Sequence, residues 1–66
     1  MRVTANGSPL ELPEDSTVED AVRELGLGRN WVVVERNGEA VPRSEAGRVR
    51  LGEGDVLEIV RPVQGG

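Results

Sequence analysis

The sequence predicts an α+β domain in which one helix packs across a mixed sheet of about five strands, in the order β-β-α-β-β-β. Three observations carry this. Short alternating apolar stretches are punctuated twice by Asn-Gly, at Asn6-Gly7 and Asn37-Gly38, the strongest short hairpin signal. A single stretch, from Val18 to Leu25, has helical rather than strand periodicity. The last apolar run, Val56 to Val60, is apolar on both faces and so belongs at the centre of the sheet.

Met1, Val3 and Ala5 alternate with Arg2 and Thr4, a half-buried first strand. After Asn6-Gly7 the return strand carries Leu10 and Leu12; Pro9 cannot donate to a ladder, so this strand belongs at an edge. Pro13-Glu14-Asp15-Ser16 is a turn. The helix begins at Ser16 or Thr17, and Ser16 with Glu19 has capping-box spacing. Glu19 and Asp20 suit the positive end of the helix dipole. Val18, Ala21, Val22 and Leu25 form one stripe, Gly26 is placed to end the helix in the left-handed conformation, and Leu27 packs just beyond.

A third strand runs from Trp31 to Arg36 with Val32 and Val34 facing the core, and Glu39-Ala40-Val41 starts a short return strand. Residues Pro42 to Arg48 read as irregular, with Val49 and Leu51 as core anchors. Gly52-Glu53-Gly54-Asp55 is a turn. In the final strand Leu57 and Ile59 face one way and Val56, Glu58 and Val60 the other. Pro62 lacks an N–H and helps stop the pairing. The compact domain thus spans residues 1–60, followed by a flexible tail, residues 61–66.

Composition limits the chemistry. The chain has 66 residues and neither cysteine nor histidine, so disulfides, thiolate nucleophiles, imidazole bases and the usual zinc sites are excluded; no metal site is expected. So short a chain has little room for a substrate pocket, and an enzyme acting alone is not expected. Twelve acidic against eight basic residues give a net charge of −4, which disfavours nucleic acid as a partner and suits docking on a basic protein surface. All eight cations are arginine, so no ε-amine is offered for lysine-linked chains. No apolar run approaches the length of a membrane span, about 18 residues, and a signal-peptide core is lacking. The expectation is a cytoplasmic protein, monomeric when free.

The tail Arg61-Pro62-Val63-Gln64-Gly65-Gly66 ends in two glycines and a carboxylate. With nine glycines in 66 residues, such an end arises by composition about once in fifty chains, so it is a weak signal alone. Its chemical sense is that a carboxylate becomes reactive when made an anhydride with a nucleotide phosphate. An extended Gly-Gly end, free of Cβ atoms, also passes through a narrow channel into another enzyme's nucleotide site.

Several segments together resemble the sulfur carrier family of thiamine (thiazole) biosynthesis, with its ubiquitin-like β-grasp fold. They are Asn6-Gly7, Thr17-Val18, Glu24-Leu25-Gly26-Leu27, Val34-Glu35-x-Asn37-Gly38-Glu39, Val41-Pro42-Arg43-Ser44-Glu45, Gly54-Asp55-x-Leu57-Glu58-Ile59-Val60 and the tail. Ala46-Gly47, Arg36 and Gln64 depart from the family pattern. The resemblance implies a carrier, not an enzyme, that binds no cofactor itself. An E1-like enzyme adenylates the Gly66 carboxylate with ATP. A cysteine-derived donor, a desulfurase or sulfurtransferase, supplies sulfur, and the Gly66 thiocarboxylate passes it to thiazole synthase. Gly65, Gln64, Val63 and Pro62 are the tail that enters partner active sites. Arg61, Val60 and Val56 are candidate docking residues, against the alternatives of a solvated strand end and of partial cover by loops. Trp31 is a contact or packing residue, and the Pro42–Glu45 segment serves fold or partner geometry. The alternatives to thiazole synthesis are sulfur carriage for molybdopterin synthesis or tRNA thiolation, a ubiquitin-like modifier joined through Gly66, and a module that binds only by its sheet.

Overall fold

The computed structural model describes residues 1–27 and 32–61. Trp31 and the tail residues 62–66 lie outside them. In chain order the elements are β1 (Arg2–Ala5), β2 (Ser8–Glu11), α1 (Val18–Glu24), β3 (Val33–Arg36), β4 (Glu39–Val41), a 3-10 turn (Arg43–Glu45) and β5 (Val56–Val60). They form one sheet in the order β2-β1-β5-β3-β4. The β1–β5 pair is parallel, and β1–β2, β3–β4 and β3–β5 are antiparallel. The mixed five-stranded sheet and the one helix among the described residues agree with the fold class expected from the sequence, and β5 occupies the expected centre, although only its Leu57–Ile59 face is buried.

Both hairpins turn as their Asn-Gly pairs dictate. Asn6 and Gly7 have φ of 51° and 82°, Asn37 and Gly38 of 51° and 86°. Positive φ at both central residues gives the twist that matches paired strands. Pro9 stands opposite Thr4 in β2, an edge strand, where its missing N–H leaves no ladder partner unsatisfied.

The core lies between one sheet face and the helix. Val18, Ala21 and Val22 of α1 are buried with Val3 and Ala5 of β1, Val34 of β3, Leu57 and Ile59 of β5, and Val32. Alternation along β5 decides which side chains enter: Leu57 and Ile59 are buried while Val56, Glu58 and Val60 stay outside. Burying a Leu or Ile of this kind stabilises by about 1.5–3 kcal/mol.

Four local expectations are corrected. The capping box is one residue later than Ser16–Glu19. The Thr17 hydroxyl accepts from the Asp20 N–H at 3.2 Å, and the Asp20 carboxylate accepts from the Thr17 N–H at 2.8 Å. Ser16 is instead buried, its hydroxyl donating to the Pro13 carbonyl at 2.7 Å to close the preceding turn. Leu25 is not in the buried stripe: it is the helix C-cap and is exposed. The expected stop does hold. Gly26 has φ of 74°, its N–H donates to the Arg23 carbonyl and the Leu27 N–H to that of Val22, with Leu27 packed on the core.

The third strand spans Val33–Arg36, so Val32, expected within it, is buried just before it; Trp31, the expected start, lies outside the described residues. Residues Arg43–Glu45 are a 3-10 turn rather than irregular chain, and they deliver Ala46 into the core. From there the carbonyls of Ala46 and Val49 accept from the N–H groups of Glu19 and Val18, each at 3.0 Å. The Pro42–Glu45 segment therefore helps satisfy donors that a helix start leaves without partners. That is a fold role for a motif whose purpose the sequence left open.

Candidate functional site

The chemistry assigned by sequence belongs to the tail. Of its members only Arg61, exposed just after β5, is among the described residues. Gly66, Gly65, Gln64, Val63 and Pro62 lie outside them. What the structure defines is the strand that leads to this tail and how firmly it is held.

On one flank β5 pairs with β3 along its length, Val60 opposite Val33 and Leu57 opposite Arg36. On the other, the parallel pairing with β1 covers only Thr4–Val56 and Ala5–Leu57. There the chain of β1 must turn at Asn6, whose N–H still donates to the Leu57 carbonyl at 2.9 Å. The Asn6 side chain then continues the ladder. Its Oδ1 accepts from the Ile59 N–H at 2.7 Å, and its Nδ2 donates to the Ile59 carbonyl at 2.9 Å. One amide side chain thus replaces the peptide group that a longer β1 would have supplied, two residues before Arg61.

The other turn holds the start of β5. Asn37 donates its N–H to the Val56 carbonyl at 2.8 Å and accepts from the Val56 N–H on Oδ1 at 2.9 Å. Its Nδ2 reaches Asp55 at 3.1 Å. The Asp55 carboxylate also accepts from Arg36 Nε at 2.9 Å and from the Gly52 N–H at 2.8 Å. Burial by itself pushes this carboxyl up, but the Gly52 N–H, the Arg36 guanidinium and the Asn37 amide together hold it below its ordinary value. Arg36, a departure from the family pattern, is thereby accounted for as the partner of Asp55.

Two of the expected docking residues, Val56 and Val60, are on the sheet face away from the helix, and the third, Arg61, is exposed just after β5. Val56 is 45% and Val60 56% exposed, and Val33, which the sequence reading did not single out, is 44% exposed beside Val60. Among the described residues no loop buries these valines. Glu35 and Glu58 stand directly opposite each other among them.

The sequence reading assigned Asn6 and Asn37 to turn chemistry alone and missed their clamping of β5. The Asn-Gly pairs were visible, but which strand each amide meets depends on the β1–β5 and β3–β5 neighbours. Two surface depressions, of about 360 and 230 Å³, lie elsewhere: one by the Leu12–Ser16 turn and α1, the other by β4 and the 3-10 turn. No residue of β5 lines either. Among the described residues there is no group of three or more acidic side chains able to hold a metal, and no helix is long and apolar enough to cross a membrane.

The model of the ThiS family matches residues 1–66. A thiazole synthase of Paramagnetospirillum magneticum is 41% identical over 66 residues, covering all of this chain and 20% of that protein, so this chain spans about a fifth of that relative. The sulfur carrier protein ThiS of Bacillus subtilis is 36% identical over 62 residues, covering 92% of this chain and 94% of the relative. Among solved structures, the crystal structure of the thiamine biosynthesis protein ThiS from Geobacter metallireducens superposes with a TM-score of 0.82 at 29% identity, covering 100% of both chains.

Proposed function

This chain belongs to the ThiS family of ubiquitin-like sulfur carriers, and from that premise we propose that it carries sulfur on Gly66 for the thiazole of thiamine. The Gly66 carboxylate attacks the α-phosphate of ATP on an E1-like enzyme, releasing pyrophosphate and forming an acyl adenylate. A cysteine-derived sulfur nucleophile, brought by a desulfurase or sulfurtransferase, displaces AMP. Because that nucleophile is the outer sulfur of a donor persulfide, an acyl disulfide forms. A second thiol attacks the donor's own sulfur, the two pair as a new disulfide, and the S–S bond breaks to leave the Gly66 thiocarboxylate, which thiazole synthase consumes. The chain supplies no catalytic group and binds no cofactor; it presents a carboxylate and is recognised by the enzymes that act on it, in the cytoplasm and as a monomer.

One observation carries the reading: the family match runs through the last residue and so includes Gly65-Gly66. The chemistry supports it. Sulfur that rides on the main chain needs no cysteine in the carrier, and the sequence has none. Delivery on a docked macromolecule replaces diffusion of free sulfide with an oriented encounter. A thiazole synthase that itself contains a stretch 41% identical to this chain supports thiazole synthase as the recipient. The central strand, clamped on both flanks through Ile59 and Val60, gives the tail a firm origin.

The test is an intact-mass spectrum of the protein from its own host under thiamine starvation, followed by gas-phase fragmentation. The expected result is replacement of one oxygen by sulfur, localised to residues 62–66. Localisation matters because oxidation of Met1 or Trp31 nearly mimics that mass change. An unmodified tail, or one joined to a lysine of another protein, would overturn the proposal.

A further inference from the structure

The open sheet face carries two features that oppose each other in the isolated molecule. Three exposed valines, Val33, Val56 and Val60, offer apolar surface to solvent. Between them Glu35 of β3 stands directly opposite Glu58 of β5, so their carboxylates share one face with Cβ atoms about 5 Å apart. Like charges placed this way destabilise a sheet, and neither glutamate has an ion pair or hydrogen bond among the described residues. Glu11, on the same face at the β2 edge, shows the usual remedy: Arg2, opposite it, donates from Nε at 2.7 Å. Arg36, next to Glu35 in sequence, is committed to Asp55.

We infer that Glu35 and Glu58 form a receptor for an arginine side chain of a protein partner, set within apolar surface that covers Val33, Val56 and Val60. Covering the valines strips water from the two carboxylates, which is costly unless a cation arrives with the cover. A guanidinium suits the pair better than a point charge, because its planar fork can donate to both carboxylates at once. A second copy of this chain fits poorly: apposing two such faces brings four of these carboxylates together, while Arg2 on the same face is already committed to Glu11. Nucleic acid and anionic lipid bring the wrong sign.

This deepens the carrier reading, since the partner that must bind first is the adenylating enzyme. The experiment measures calorimetric affinity of the full chain for the purified adenylating enzyme of its own host. Wild type is compared with Glu35→Gln/Glu58→Gln and with Glu11→Gln as a control of equal chemistry on the same face. The expected result is a double variant weaker by at least about tenfold at about 0.05 M salt, with the gap narrowing at about 0.5 M, and a control close to wild type. A double variant within about twofold of a wild type that binds would overturn the inference and leave the carrier reading standing. Wild type that fails to bind at all would sink both. Self-association of wild type in sedimentation would assign the face to a second copy and also overturn the inference.

Discussion

Replacing Asn6 tests whether a turn side chain, and not only strand pairing, holds the strand that leads to the tail. The Asn6 amide makes two hydrogen bonds to the backbone of Ile59, at 2.7 and 2.9 Å, and its own φ is 51°. Asn6→Gly removes the amide without imposing a side chain on the left-handed backbone. Two hydrogen bonds at about 1 kcal/mol net each predict a loss of about 1–3 kcal/mol. Asn6→Ala removes the same bonds but keeps a Cβ at positive φ that glycine lacks, so it should fall about 1–2 kcal/mol below Asn6→Gly. For a domain of this size each kcal/mol corresponds to a fall of roughly 4–8 °C in Tm. Urea unfolding measures the loss, and amide exchange at Ile59 localises it, because that N–H loses its acceptor. An Asn6→Gly protein within about 0.5 kcal/mol of wild type, with Ile59 exchange unchanged, would refute the clamp.

Two further outcomes follow from side chains whose partners are defined. Asp55 has a depressed carboxyl, so the folded state binds its proton less readily than the unfolded chain does. Its stabilisation is therefore complete above the ordinary carboxylate value of about 3.9 and is lost as pH falls through the lower folded value. Asp55→Ala should lower stability at neutral pH by about 2–3 kcal/mol, with the gap to wild type closing in strong acid; a gap independent of pH across urea titrations would contradict this. Thr17→Ala should cost about 1 kcal/mol as a lost N-cap while Glu19→Gln leaves the helix start unchanged. Equal losses in thermal melts would return the capping box to the Ser16–Glu19 register.

The sequence by itself determined much of this protein, because much of it is local. Asn-Gly at two positions demanded hairpins whatever lay nearby. The stripe Val18-Ala21-Val22 demanded a helix with one buried face, and Gly26 its end. The alternation in Val56–Val60 put Leu57 and Ile59 on one face and Val56, Glu58 and Val60 on the other. Gly65-Gly66 was a weak signal alone and gained weight only beside the segments that match the family along the whole chain.

Only the tertiary structure decided what depends on neighbours distant in the chain. The capping register turned on Ser16 facing inward, its carbonyl accepting from Leu51, a contact that no local preference encodes. Ala46 reads as a small loop residue until the 3-10 turn carries it under the helix start. Asn6 and Asn37 become clamps only because β5 lies between β1 and β3, which brings residues 53 positions apart within hydrogen-bond distance. Glu35 and Glu58 face each other by the same register. Local periodicity fixes which way a side chain points, whereas strand order and register fix what it meets.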